Sequence, residues 1–260
     1  AQRCAESSAD PDLCVRLLIA LAPWWPERGY VGEGFTWSQR AIGLVPPDHP
    51  RRPEALHELA WLAFYNRPGE EAIALFKLAA ERAAAAGDHT LEGRSLNGAV
   101  LALFHLGRTR EGHELVMRAN EILTAAGDEV GISQTEVYFG HLALADGRYA
   151  EGLEAVERAA ERRRRLDDPV DLALALALLA GLKLRSGDRA GAGEAIGEGL
   201  AAMGRTLERI ALGQVADAAA AYLAACGDLE RAVLVGAASS AIRNNFGITG
   251  AIAVHFPELR

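Results

Sequence analysis

The chain has 260 residues, half of them apolar, and its 27 lysines and arginines against 35 aspartates and glutamates give a formal net charge of −8. So apolar a composition excludes a disordered chain, and the acidic balance excludes a segment that grips nucleic acid by itself, because phosphate neutralisation needs a basic face. Aromatic residues make up 6% of the chain, and alanine and leucine dominate over valine, isoleucine and threonine, which favours helix over strand throughout.

Asp10-Pro11 predicts a helix start, with aspartate as the cap and proline at the first helical position. This first helix is expected to run to about Trp25, where Pro26 and Gly29 break it, and Tyr30 to Leu44 pairs with it. Val45-Pro46-Pro47-Asp48-His49-Pro50 is a loop, since its prolines forbid a continuing helix.

From Arg52 the pattern becomes periodic, with helices of about 15 to 17 residues alternating between two kinds of turn. Within pairs the turns centre on Arg67, Gly107, Gly147, Gly187 and Gly227, each 40 residues from the last. Five residues after each stands a small one: Ala72, Gly112, Gly152, Ala192 and Ala232. Gly29 followed by Gly34 adds a sixth unit upstream. Between pairs the turns read Ala86-Gly87-Asp88, Ala126-Gly127-Asp128 and Leu166-Asp167-Asp168-Pro169, with glycine as left-handed C-cap and aspartate capping the next helix. The corresponding turn near Gly204 comes about three residues early, predicting a short second helix and a longer following first helix.

Two antiparallel helices joined by a short turn cross closely, so large side chains at the crossing would force them apart. Small residues recur seven positions before each turn (Ala22, Ala60, Val100, Gly140, Ala180, Ala220). Nine after it come Phe76, Val116, Val156 and Ile196, and three further on Ala79, Ala119, Ala159 and Gly199. Small at the crossing, large between layers and small again is the pattern of a helix-pair solenoid.

The phasing Gly140, Gly147, Gly152, Ala159 resembles the tetratricopeptide (TPR) repeat over roughly residues 11–243. These units are 40 long, against the usual 34, and lack the proline that normally ends each repeat. Such long repeats resemble the C-terminal arrays of bacterial LuxR-large, MalT and AfsR-type signal-transduction ATPase transcription regulators. The segment Leu17 to Trp37, with Trp24-Trp25, Arg28-Gly29-Tyr30 and Gly34, is similar to their opening unit; Cys226-Gly227-Asp228-Leu229-Glu230-Arg231-Ala232 through Ala238 is similar to their closing one.

No catalytic constellation stands out. Gly191-Ala192-Gly193-Glu194-Ala195-Ile196-Gly197 resembles a dinucleotide fingerprint, but it lies inside a predicted helix, follows no strand and has the wrong final spacing, so helix-crossing glycine is the better reading. There is no phosphate-binding GxxxxGK[ST] and no HExxH, so neither cofactor nor metal is expected, and the chain is read as not an enzyme. Cys4, Cys14 and Cys226 are too few and too far apart for a disulfide framework and suit a reducing compartment. The greasiest stretch, Leu172 to Leu182, is closed by Lys183, Arg185 and Asp188 before it could span a membrane; with no signal peptide, a cytoplasmic location is expected. The absence of an opening methionine is what a piece of a longer protein would show. Arg162-Arg163-Arg164-Arg165 could be a docking patch for an acidic partner or for DNA, but reads first as solvent-facing arginines at a helix C-terminus, with Glu157, Glu161, Asp167 and Asp168 nearby.

In this repeat class the first helix of each pair faces inward, which implies groove positions thirteen, ten, six, three and two residues before each turn. They are Glu54, His57, Trp61, Phe64 and Tyr65, then Arg94, Asn97, Leu101, Phe104 and His105. Later pairs contribute Gln134, Val137, His141 and Leu144, then Leu184, Arg185, Gln214 and Asp217. Aromatic groups with a few polar ones suit a peptide or a small molecule. The carboxylate clamp of chaperone-binding TPR domains wants lysine and asparagine ten and six before the turn. Here those places hold His57/Trp61, Asn97/Leu101, Val137/His141 and Asp217/Ala221, so a chaperone tail is not the ligand this pattern implies.

The expected architecture is an all-α, right-handed superhelical solenoid in one domain over 1–260. Its six helix pairs fall near 11–44, 51–86, 89–126, 129–166, 169–203 and 205–243, with 248–260 as cap or tail. The expected function is non-catalytic binding of a protein, peptide or small-molecule effector in the concave groove, with no nucleic-acid or membrane contact by this segment. The resemblance implies an effector-sensing domain of a transcription regulator, covalently attached to an ATPase or DNA-binding domain. The alternative is a free-standing scaffold that brings proteins together.

Overall fold

The computed structural model describes residues 10–204 and 209–245. Among these residues there are thirteen helices and no strand. The first pair is α1 (Pro11–Leu21) and α3 (Val31–Gly43), joined through the short α2 (Trp24–Glu27). Then α4 (Arg52–Asn66) pairs with α5 (Glu70–Ala85), α6 (His89–His105) with α7 (Thr109–Ala126), and α8 (Glu129–Ala145) with α9 (Tyr149–Arg165). Finally α10 (Pro169–Arg185) pairs with α11 (Arg189–Met203), and α12 (Arg209–Ala225) with α13 (Leu229–Asn245). Backbone packing divides them into two compact units: one ends at Asp128, and the other runs from Glu129 to Asn245.

Both kinds of turn use the same device. Gly29, Gly87, Gly107, Gly127, Gly147, Gly187 and Gly227 all have φ between 68° and 88°, the left-handed conformation that only glycine adopts without steric cost. The N–H after the glycine then reaches back to cap the finished helix, as from Arg108 to the Leu103 carbonyl (3.0 Å) and from Arg148 to that of Ala143 (2.8 Å). Asp167 takes the glycine's place at φ 52°, which a short polar side chain tolerates. The Arg67 turn works differently: Arg67 is extended (φ −162°, ψ 99°) because Pro68 disfavours helical backbone in the residue before it. Aspartates start helices as expected. Asp10 accepts from Asp12 and Leu13 N–H, and Asp88, Asp168, Asp188 and Asp228 each accept from the N–H three residues on.

One helix limit differs from expectation. α1 ends at Leu21 rather than near Trp25, because Pro23 has no N–H to continue the ladder; Pro26 sits inside α2 instead of ending a helix. α11 is short, at 15 residues, as the early Gly204 turn predicts. The expected extension of the next first helix lies at residues 205–208, outside the described residues, as do 248–260.

The small-and-large pattern is a packing pattern. Phe76, Val116 and Val156 are almost fully buried, as are Ala72, Ala192, Ala60 and Ala180. A Cβ on Gly140 would lie 2.3 Å from Val156 Cγ2, and one on Gly34 would lie 2.3 Å from Trp25 Cγ. Phe76 also reaches the next pair: a Cβ on Gly98 of α6 would stand 2.3 Å from its ring. In the glycine-rich α11, Gly193 packs near Tyr222, but Gly197 has nothing within 4 Å, so helix crossing does not account for it.

The arginine run at the end of α9 is not a solvent-facing patch, because its four side chains leave the helix in different directions. Arg162 pairs with Glu129 and Glu136, and Arg164 binds Glu198 through two N–H groups at 2.7 and 2.8 Å. Arg163 is 1% exposed. Its guanidinium donates to Ser133 Oγ (2.7 Å), the Val130 carbonyl (3.1 Å) and Asp168 (2.8 Å), and pairs with Asp171 (2.8 Å). A charge can be buried there only because its donors are matched so fully. Arg165 fits the solvated expectation best, at 60% exposed and 3.6 Å from Glu161.

Two outcomes test this packing. Gly152→Leu places new atoms where even a Cβ would lie 2.9 Å from Leu182 Cδ2, and should cost about 1–3 kcal/mol in denaturant unfolding. Arg163→Ala strands two carboxylates and should cost about 3 kcal/mol, whereas Arg165→Ala should change stability by less than about 0.5 kcal/mol. Equal effects of the two arginine substitutions would contradict the buried-hub assignment.

Candidate functional site

In the first unit, α4 and α6 bring most of the expected groove residues together. Trp61 stacks on Tyr65 at 5.8 Å (26° between planes) and meets Phe64 and Phe76 edge-on at 5.8 and 5.1 Å. From α6, His105 approaches Phe64 at 5.2 Å and Phe104 at 5.4 Å. Phe64 and Phe104 are buried and form the floor; Trp61, Tyr65, His105 and Leu101 stay half-buried and make the accessible surface.

A hydrogen-bond chain sets the tautomer of His57. Trp61 Nε1–H donates to His57 Nε2 (3.1 Å), so Nε2 must be the unprotonated acceptor. The proton therefore sits on Nδ1, which donates to Ser95 Oγ at 2.9 Å. Burial, helped by the charge of Arg94, lowers the His57 pKa to about 4, and burial does the same for His105. Both imidazoles are neutral near pH 7, so the aromatic surface carries no histidine charge.

Arg94 is not a loose cation. It holds Asp128 through two parallel N–H bonds of 2.7 and 2.9 Å, tying α6 to the end of α7. Asn97 is buried beside it in α6, at 1% exposed, so it belongs to the packing between helices.

The second unit offers no comparable surface at the expected positions. His141 and Asp217 are buried, and Val137, Leu144 and Leu184 pack on the unit's hydrophobic core. Gln134 and Gln214 are half-buried and Arg185 is exposed. His141 lies 6.2 Å from Tyr138, ring centre to ring centre. The α10 helix is mostly alanine and leucine where α4 carries aromatics.

Three participants were not singled out as groove residues. Ser95 gives no signal beyond lying near the groove positions of α6. Phe76 shows in the sequence only as a packing residue. Glu58 is half-buried on α4 and makes no ion pair among the described residues. Burial, with a contribution from the Glu54 charge, raises its pKa to about 7. Among the described residues, no group of three or more histidines, cysteines or acids is arranged to hold a metal ion, and no helix is long and apolar enough to cross a membrane.

No protein-family model matches the chain, and no curated protein matches it in sequence. Solved structures do match. Aspartyl phosphate phosphatase F from Bacillus subtilis is 14% identical with a TM-score of 0.70, over 93% of this chain and 63% of its own. A Rap protein complexed with Competence and Sporulation Factor is 14% identical with a TM-score of 0.61, over 95% of this chain and 80% of its own. The TPR-like repeats of a protein assigned as a kinesin light chain from Podosopora anserina are 19% identical, with a TM-score of 0.55, over 76% of this chain and 97% of their own. The fold is a TPR-like helix-pair solenoid. At these identities the likeness concerns the fold alone.

The raised pKa of Glu58 gives stability a signed pH dependence. A folded pKa of about 7 against an ordinary 4.5 means the folded state holds a proton that the unfolded state has lost, so its contribution is complete below pH 4.5 and disappears as the pH rises through 7. Glu58→Gln should therefore be more stable than the parent at pH 8, by on the order of 1 kcal/mol after allowing for partial exposure, and equal to it at pH 4.5. Urea unfolding at the two pH values measures this.

Proposed function

We propose that the first unit binds an apolar segment of a protein or peptide on the α4–α6 aromatic surface. The observation that carries this reading is the half-exposed Trp61–Tyr65 stack, held in place by the Trp61–His57–Ser95 chain. Large aromatic rings fixed by their neighbours give contact area at little entropic cost, and tryptophan and tyrosine are the residues on which binding energy concentrates. The Arg94–Asp128 pair and the neutral histidines leave the surface nearly uncharged, so apolar contact and hydrogen bonding, rather than charge pairing, set its affinity.

The shared fold with the Rap protein solved in complex with Competence and Sporulation Factor supports a recognition role. In its fuller form the proposal makes the chain the effector-sensing module of a bacterial transcription regulator, with ligand occupancy passed to an attached ATPase or DNA-binding domain. Such coupling requires the ligand to favour one arrangement of the helix pairs over another. The long repeat and the resemblance of its first and last units to regulator arrays support this version.

The test uses peptides selected on the parent protein by display and measured by calorimetry. Trp61→Ala should weaken binding about tenfold or more. Arg94→Ala should act less on affinity and more on stability, because its guanidinium is spent on Asp128. If both variants keep parental helix content and parental affinity, the aromatic surface is not the site.

A further inference from the structure

The second unit carries a groove that the aromatic surface does not use. It lies between α9 and α11, encloses about 340 Å³, and is floored by Leu176 and Leu179 of α10. The 40-residue beat explains why it is open. Ala195, on its wall, is in register with Leu75 of α5 and Leu115 of α7, both half-buried leucines, and with the equally small Ala155 of α9. Gly191, also on the wall, is in register with Glu71, Glu111 and Glu151. The leucine that α5 and α7 carry, and the glutamate that α5, α7 and α9 all carry, are missing here, and what remains is room for a branched apolar group above a leucine floor.

The rim has a sign. Glu157 and Glu161 stand on the α9 side, Glu194 and Glu198 on the α11 side, against only Arg164 and Lys183. Both cations are already engaged: Arg164 with Glu198 and Glu161 (3.5 Å), and Lys183 with Glu157 (3.7 Å) and Asp188 (3.6 Å); Glu161 also meets Arg165 at 3.6 Å. Gly191 makes the second arrangement possible, since a Cβ there would lie 2.2 Å from Asp188 Oδ2 and 2.9 Å from Lys183 Nζ. Glu194 is exposed and has no ion pair among the described residues. An acidic ligand would meet like charge; a basic one would find carboxylate left over.

We propose that this groove docks a protein segment presenting one leucine-sized side chain flanked by lysine or arginine. The apolar group fills the space that Ala195 leaves over Leu176 and Leu179, and the flanking cations lie against the glutamates of the two rims. The site shares no residue with the aromatic surface and lies in the other unit, so each can fail without the other.

A random 12-residue peptide library displayed on phage, selected on the parent and counter-selected on Ala195→Leu, tests this. The variant restores the side chain that Leu75 and Leu115 provide in register, so it should fold with parental helix content while losing the ligand. Enriched sequences should combine lysine or arginine with leucine, isoleucine or methionine, and their affinity should fall at least tenfold on Ala195→Leu. Glu157→Gln/Glu194→Gln removes two exposed rim carboxylates and leaves Lys183 paired with Asp188, and should weaken the same peptides several-fold and flatten their salt dependence. Selection without cationic and apolar enrichment, or peptides held equally by the parent and the rim variant, overturns the proposal. If Ala195→Leu does not fold, the rim variant and an Ala-for-Leu peptide decide it alone.

Discussion

A large side chain set against a position with no side chain is the contact on which this array depends. Phe76 lies over Gly98, Val156 over Gly140, and Trp25 over Gly34. Each needs its helix to arrive at one angle and one register, because a shift of a single residue would bring a Cβ into the knob. The helices are long but rich in alanine, and alone would hold together poorly. Turn length, cap and 40-residue period can all be read as means of delivering the next glycine or alanine to the next knob.

That logic explains how much of the fold the residues announced. Left-handed glycines, aspartate caps and small crossing residues act over a few positions, so their spacing shows directly in the chain. The end of α1 was misplaced because two prolines three residues apart compete to end it, and Pro23 does so first. The arginine run was misread for a different reason. Four adjacent arginines on a helix are spread around its circumference, and only the three-dimensional arrangement shows that Arg163 faces Ser133 and Asp171, thirty residues upstream and eight downstream.

The proposed binding surface was legible by position more than by role. Register placed His57, Trp61, Tyr65 and His105 together, since those places recur on each first helix. It could not tell that Phe64, Phe104 and Asn97 turn into the packing, or that Arg94 is committed to Asp128. Those outcomes depend on partners 34 or more residues away, such as Asp128 for Arg94 and His105 for Phe64, and on the size of whatever faces them. Nor does register distinguish the aromatic face of α4 from the alanine–leucine face of α10, which carries no aromatic rings. Both proposed recognition surfaces follow local departures from the repeat: added rings in one unit, missing leucine and glutamate in the other.

Arg163 has a consequence for motion. Its side chain starts on α9 and ends on groups from α8, the following turn and the first turn of α10, so no one of these three helices can come away without undoing all its bonds. Repeat proteins commonly fray one hairpin at a time from either end. Here the fourth and fifth hairpins are locked through a buried ion and must open as one block, so slow amide hydrogen exchange should be shared across α8, α9 and the start of α10 rather than graded from hairpin to hairpin.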